Sequence, residues 1–342
     1  MDYQQSYADN RRDRIQRLAH VVISKKILPL QQETIQNKIM ALYKYNTSGV
    51  FSEIKEKPFK LERDIQRMFE TNMSEIMGLE MIKSEFTIKD RRIDTLAFDP
   101  QSKAFVIIEY KRERNSSVID QGFTYLSLML QNQADFILEY NETQARNLKR
   151  NDVDWSQTKV VFVSQGFTPN QREAVNFKDL SIELWEVKRY ENDSVSITPI
   201  RKSHASASIK TVMQNSPEFK EVTEKIKEYS EENLLKGKSD DVVELYESYK
   251  NAILNLNTEI EVKPQKWYIS FKKANSHICA LEIQKNGIKL TINVAKGHLE
   301  DSKQLTRDIS TVGHFGNGDY ELKISDTKYL EYIMSLVKQA IK

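Results

Sequence analysis

The stretch RRIDTLAFDPQSKAFVIIEYKRER, residues 91–114, decides the architecture. Two runs of strand-forming residues, Arg92 to Phe98 and Ala104 to Tyr110, flank the turn-forming DPQS and predict a hairpin. With the turn centred near Gln101 and Ser102, Asp94 falls opposite Ile108 or Glu109. Side chains alternate along a strand, so Glu109 and Lys111 share a face, ~6.6 Å apart by the rise per residue. Asp94, Glu109 and Lys111 can therefore converge. Val106, Ile107 and Ile108 mark the second strand as largely buried, where a pair of carboxylates needs a cation or hydrogen-bond donors. A divalent ion supplies that cation. Carboxylate oxygens, a backbone carbonyl and waters form a hard oxygen site suited to Mg²⁺ or Mn²⁺. Lys111 either stabilises charge at an attacked phosphate or, with its pKa lowered, takes a proton from water; both roles stay open.

Before the hairpin, Leu61, Ile65, Met68 and Phe69 recur at helical spacing after Pro58, predicting a helix over Phe59 to Glu70, and Met81 to Ile88 reads as a strand. After it, Ser116 or Ser117 caps a helix carrying Val118, Ile119, Leu126, Met129 and Leu130 on one face and tolerating Gly122. Phe136 to Glu139 and Lys159 to Val163 read as strands, Pro169 to Phe177 as a helix and Ile182 to Tyr190 as a strand. The expected order is αβββαββαβ.

This order carries a resemblance. Glu62 on the first helix, Asp94, the Glu109-Tyr110-Lys111 triplet, and Gln121 with Tyr125 on the following helix resemble the PD-(D/E)XK nuclease superfamily, in particular its RecB-like and NucS-like members. Ile93-Asp94 stands where that pattern usually has Pro-Asp. The resemblance covers about residues 55 to 200. It implies an α/β fold with a restriction-endonuclease-like mixed sheet flanked by helices, and a Mg²⁺- or Mn²⁺-dependent nuclease hydrolysing phosphodiester bonds, with DNA favoured. Asp94, Glu109 and Tyr110 are the implied metal ligands, Glu62 supports the metal site or the water, and Lys111 assists attack. Gln121 and Tyr125, four apart on a helix, orient the site or touch the nucleic-acid backbone. Arg112 and Arg114 cluster beside the site and could neutralise phosphate charge. The bland readings are a surface Glu-Lys pair, a solvated charge run for the arginines, and ordinary core packing for Tyr125.

At 342 residues the chain exceeds what one core usually organises. Residues 1–50, with RRDRIQRLAHVVISKK and then ETIQNKIMALYKY, are expected to form a helical extension, as a basic phosphate-touching arm or as helices packed on the next domain. Residues 51–200 form the nuclease-like domain. The stretch 201–216 loses periodicity and reads as a linker, and 217–342 as helices followed by a smaller α+β domain. There, Glu218 to Leu235, Asp240 to Leu256 and Lys328 to Ile341 read as helices. Trp267 to Phe271, His277 to Ile283 and Ile288 to Val294 read as strands.

KWYISFKK (266–273), the helical region from Lys236, and ISTVGHFGNGDYELKIS (309–325) resemble an uncharacterised bacterial domain that goes by the name predicted transport protein. Lacking a membrane span, it is expected to be a recognition or assembly module, for substrate, for a second copy of the chain as a homodimer, or for a protein partner. Trp267, Tyr268, Lys272 and Lys273 suit nucleic acid by stacking and charge, or an edge strand. Gly313, Gly316 and Gly318 lack the spacing of a phosphate-binding loop and read as a turn; His314 reads as structural.

Composition narrows the function classes. A net charge of +2, from 51 basic and 49 acidic residues, excludes a globally basic nucleic-acid coat, so phosphate binding must be local. The longest apolar stretches, such as Phe105 to Ile108, are too short to cross a bilayer, and Leu18 to Ile23, interrupted by His20, does not read as an export signal, which implies a cytoplasmic protein. The lone Cys279 supplies neither an intramolecular disulfide nor a thiolate cluster and reads as a buried small hydrophobe. Two rivals to the nuclease follow: a non-catalytic nucleic-acid binder on a nuclease fold, and an interaction scaffold built on the charged helices.

Overall fold

The computed structural model describes residues 41–341 apart from 48, 113–117, 178, 204–205, 210–221, 223–224, 228, 275 and 313–317. Arg114, His314, Gly313 and Gly316 lie outside the described residues, as does most of the expected N-terminal extension. The described chain opens on a hairpin, β1 Leu42–Tyr45 and β2 Phe51–Ile54, where a helix was expected to run through Tyr45. The reason is local. Asn46 turns the chain by accepting from Gly49 N and, through its side chain, from Val50 N. Tyr43 and Tyr45 then pack across the pair against Phe51 at 6.1 and 5.0 Å.

There follow α1 Glu62–Thr71, α2 Met73–Met77, β3 Glu80–Ile88, β4 Arg91–Asp99, β5 Ala104–Lys111, α3 Val118–Gln131, α4 Gln133–Gln144, β6 Lys159–Ser164, α5 Pro169–Ala174, β7 Ile182–Arg189 and β8 Val195–Pro199. The strands form one six-stranded sheet in the order β3-β4-β5-β6-β7-β8. Pairs β5–β6 and β6–β7 are parallel and the other three pairs antiparallel, so the sheet is mixed. Helices α3 to α5 make the crossovers that parallel neighbours require.

The sheet is covered on both faces. Phe105, Ile107, Phe162 and Leu184 share one core with Leu126 and Met129 of α3 and Phe136 and Tyr140 of α4. Val106, Ile108, Tyr110, Val161 and Val163 share the opposite core with Ile65 and Phe69 of α1. Strand β5 is buried on both sides, which is why it reads as an unbroken apolar run.

Two expectations for this unit are corrected. Phe136 to Glu139 is not a strand but part of α4: Phe136 and Tyr140, one turn apart, are both buried, while Leu138 is 56% exposed. The short apolar run had mimicked a strand. Helix α1 starts at Glu62 rather than Phe59, because Phe59 is held outside it. The Gln165 side chain accepts from Phe59 N and donates to Phe59 O, and the Arg189 guanidinium sits 4.7 Å from the ring centroid.

The second unit comprises α6 Glu231–Leu235, α7 Asp240–Leu254, β9 Ile260–Pro264, β10 Ile269–Lys273, β11 Ser276–Ile283, β12 Ile288–Ile292, β13 Arg307–Asp308, β14 Tyr320–Ile324 and α8 Leu330–Lys338. Its sheet, ordered β13-β14-β12-β11-β10-β9, is antiparallel throughout and packs one face on α7 and α8 through a core that includes the buried Cys279. Strands β8 and β9 were not anticipated. The helix expected over Glu218 to Leu235 is broken at Lys227, Tyr229 and Ser230, and Ser230 caps the short α6 by accepting from Asn233 N. Ile209, Val222 and Ile226 lie in the first unit's core.

Candidate active site

Register builds the site. The β4–β5 ladder runs from Asp99↔Ala104 to Thr95↔Ile108, which places Asp94 alongside Glu109, the second of the two expected positions. The turn that sets this register is held by Asp99, whose Oδ1 accepts from Gln101 N and Ser102 N. Where the ladder ends, side chains replace backbone partners. Asp94 Oδ2 accepts from Tyr110 N at 3.0 Å, and Glu109 Oε1 accepts from Asp94 N at 3.2 Å. In an extended strand the N–H and C=O of one residue face the same edge, so the Tyr110 carbonyl faces the gap beside Asp94.

Glu109 lies on the face lined by Phe105 and Ile107 and is 2% exposed. Lys111 Nζ stands 3.3 Å from Glu109 Oε2, and Gln121 Nε2 of α3 donates to the same oxygen at 2.9 Å. Gln121 also reaches the Tyr125 hydroxyl at 3.1 Å, and that hydroxyl donates to Arg92 O. Thus Asp94, Glu109, Lys111, Gln121 and Tyr125 are brought together. Glu62 approaches from α1, on the opposite side of the sheet. Its Oε1 accepts from Arg112 N at 2.7 Å, holding the end of β5 in place. The Arg112 guanidinium donates to Lys60 O, a contact that directs it toward the segment before α1.

Electrostatics follow from burial. Desolvation, then the charge of Asp94, pushes the Glu109 carboxyl up to about 7, against the opposing pull of Lys111. Burial likewise raises Asp94, opposed by the Tyr110 N–H and Lys111. Burial, then the nearby Glu109, pushes the Tyr125 phenol up to about 12. The site is short of positive charge. Paired carboxylates with a facing backbone carbonyl are the hard oxygen donors that Mg²⁺ or Mn²⁺ prefers, so the residues present fit such an ion. Among the described residues no group of three or more His, Cys, Asp and Glu is placed to hold a metal, so the donor set here rests on two carboxylates.

Sequence reasoning missed the support beneath Asp94. Gln66 of α1, 8% exposed, directs Nε2 at Asp94 O (3.0 Å), Glu70 Oε1 (3.1 Å), and Ser84 Oγ and Glu85 Oε1 (both 3.3 Å). Thr95 donates to Glu70 Oε1 at 2.6 Å. The available signal was a glutamine beside Ile65 within the buried arc of an amphipathic helix. Glu85, whose charge helps to raise Asp94, adopts φ 52°, a left-handed conformation that interrupts β3 where it would pair with Asp94. In the second unit, Tyr268 is buried and donates its hydroxyl to Gln101 O, which removes it from base stacking.

Among solved structures, the chain is similar to a repair endonuclease from Pyrococcus abyssi at 16% identity and TM-score 0.22, over 39% of this chain and 50% of that one. It is also similar to an EndoMS–dsDNA2 complex at 13% identity and TM-score 0.22, over 40% and 50%, and to Pyrococcus furiosus SfsA in complex with Ca²⁺ at 15% and 0.23, over 44% and 76%. Residues 231–342 match the family model described as Domain of unknown function (DUF5655). Over 294 residues, 86% of this chain and 97% of its relative, the sequence is 54% identical to an uncharacterized protein of Haemophilus influenzae. The chain belongs to the same family as that Haemophilus protein.

Proposed function

We propose that the chain is a metal-dependent nuclease of the PD-(D/E)XK type that hydrolyses phosphodiester bonds, with DNA as the favoured polymer. The observation that carries this reading is the placement of Glu109. A carboxylate sits in the apolar row of a buried strand, in register with a second carboxylate and within reach of a lysine. Nothing about a stable core calls for that arrangement, and a buried acid beside a half-buried one destabilises the charged state unless a cation is added.

Asp94, Glu109 and the Tyr110 carbonyl would hold Mg²⁺ or Mn²⁺, which as a Lewis acid polarises a phosphoryl oxygen. The chain's own groups do the rest. Gln121 fixes Glu109 Oε2, Tyr125 fixes Gln121, and Glu62 fixes the end of β5 at Arg112. The Lys111 ammonium, 3.3 Å from Glu109, is close enough to offset charge developing on phosphate or, once neutral, to accept a proton from attacking water. The C-terminal unit, with its own core, would select substrate or partner.

A second reading is a nucleic-acid binder that has kept the fold without turnover. Lys111 and Gln121 already satisfy Glu109 Oε2, which is how a site without an ion would be stabilised. A digestion panel of linear, circular, single-stranded and modified DNA with Mg²⁺ or Mn²⁺ separates the two. The nuclease reading expects cleavage by the wild type that Asp94→Ala and Lys111→Ala abolish while binding persists. Binding by the wild type without metal and without cleavage would replace it with the second reading.

A further inference from the structure

A cleft of about 960 Å³ lies between the two units, at the upper end of the size of small-molecule sites. On one wall stand Phe98, Pro100 and Lys103, at the turn end of the β4–β5 hairpin. Asp94 and Phe98 are separated by ~13 Å of strand, so this is not the carboxylate site. The other wall is the polar face of the second sheet, the face turned away from the Leu281, Leu290 and Leu322 core.

Five cations (Lys103, Arg146, Lys289, Arg307 and Lys323) and four carboxylates (Glu80, Asp152, Glu282 and Glu321) line the cleft, an excess of one positive charge. Three cations are neutralised by neighbours in the cleft: Arg146 by Glu80 at 3.0 Å, Lys289 by Glu282 at 2.5 Å and Arg307 by Glu321 at 3.6 Å. Lys103 and Lys323 are not: among the described residues neither ammonium has an ion-pair or hydrogen-bond partner. Lys323 is moreover the register partner of Lys289, whose own counter-ion is Glu282 on the far side, so the residue directly across from Lys323 is a like charge rather than an acid. Lys103, half-buried on the facing wall in a left-handed conformation (φ 54°), has its pKa lowered by burial against the pull of Glu80, Asp99 and Asp152, none of which is in an ion pair with it. Trp267 lines the same cleft, half-buried, with the Lys266 ammonium 4.3 Å from its ring centroid. It supplies a flat apolar surface beside the lysines.

We propose that this inter-unit cleft binds a phosphate-bearing ligand of nucleotide size, with Lys103 and Lys323 on the phosphate from opposite walls and Trp267 against the heterocycle. A free nucleotide and the 5′ end of a nucleic-acid strand both present that chemistry. The inference stands apart from the nuclease reading and survives its failure.

Calorimetric titration of the full chain in EDTA, which empties any metal-dependent site, tests it with AMP, ATP, inorganic phosphate and a 5′-phosphorylated dinucleotide. Saturable binding is expected, weakened about tenfold by Lys103→Ala and by Lys323→Ala, each removing a charge-assisted hydrogen bond. Lys103→Arg and Lys323→Arg should retain it. Trp267→Ala should weaken the nucleotides and leave phosphate unchanged, and Asp94→Asn should bind as the wild type does. Preference for the dinucleotide over AMP and ATP assigns the ligand to a strand end, and the reverse to a free nucleotide; both uphold the site. The proposal is overturned by absence of saturable binding to all four probes, by affinities that neither lysine-to-alanine variant changes, or by binding that Asp94→Asn abolishes.

Discussion

Asp94 and Glu109 are cross-linked where the β4–β5 ladder stops: Glu109 Oε1 accepts from Asp94 N at 3.2 Å, while Asp94 Oδ2 accepts from the neighbouring Tyr110 N at 3.0 Å. The two acids thus keep the strands together at the point where backbone pairing gives out, at the expense of holding two charges close in an apolar setting. That tension has a measurable consequence. Burial and Asp94 lift Glu109 from 4.5 to about 7, so between those values the native state holds a proton that the unfolded chain has released. Stability therefore falls as pH rises across this window, by on the order of 3 kcal/mol from this group. Urea midpoints in EDTA at pH 5 and pH 8 are expected to show the fall in the wild type and a smaller one in Glu109→Gln. Identical differences in the two proteins would refute the assignment.

A divalent ion should reverse that loss, because it favours the deprotonated pair. At pH 8, Mg²⁺ or Mn²⁺ at a hundredfold excess over Kd is expected to stabilise the fold by ~2.7 kcal/mol, read as a rise in melting temperature. The effect should shrink toward pH 5, where protons compete for the same oxygens, and disappear in Asp94→Asn. A metal-induced rise that Asp94→Asn retains would place the ion elsewhere.

Gln121→Leu removes the donor that meets Glu109 Oε2 at 2.9 Å while keeping the volume of the side chain close to constant. Loss of a hydrogen bond to the charged form raises a carboxyl further, so the acidic limb of the pH–rate profile should move up by about one unit. Tyr125→Phe, which leaves that bond in place, should shift the limb less. Under the nuclease reading, a Gln121→Leu variant with reduced cleavage and an unmoved limb would make Gln121 a contact to substrate rather than a support for Glu109.

The site was legible where local rules govern it. DPQS fixes a hairpin centre, the centre fixes a register, and alternation puts Glu109 and Lys111 on one face; Asp99, through its turn contacts, makes that chain of reasoning hold. Gln66 was not legible, because its role depends on α1 packing across β4, a contact between residues 28 positions apart. The strand wrongly expected at Phe136 failed for a related reason. An apolar run too short to show a period is decided by what it packs against, here the aromatic cluster of Phe86, Phe105 and Phe136. Residues 42–45 were misread because helical spacing in their neighbours outweighed the turn chemistry of Asn46 and Gly49.

Gly122 is a point of close approach that sequence reasoning took for mere tolerance. A Cβ there would lie 2.4 Å from Ile182 Cδ1 and 3.0 Å from its Cγ1, with Phe162 Cε2 at 3.4 Å. Ile182 is fully buried and cannot swing into solvent. Gly122→Ala gains about 1 kcal/mol of helix propensity but must push α3 away from the sheet, at ~1–3 kcal/mol. Net destabilisation is expected in urea melts. Because Gln121 is the adjacent residue, turnover should fall as well. A variant more stable than the wild type would show that α3 can withdraw freely.

Tyr268 joins the two units through a single donor. Its hydroxyl bonds the carbonyl of Gln101, and both residues are buried, at 2% and 4% exposure. Tyr268→Phe keeps the ring and its packing but strands that carbonyl without a partner, a penalty of ~1–3 kcal/mol for a buried acceptor. The loss falls on the contact between the sheets, since each sheet has its own core. Amide exchange should therefore quicken in the peptide spanning Asp99 to Lys103 and in β10, with α1 and α8 unchanged. Uniform acceleration in every peptide would instead mean that the hydroxyl supports global stability, and that the two units unfold as one.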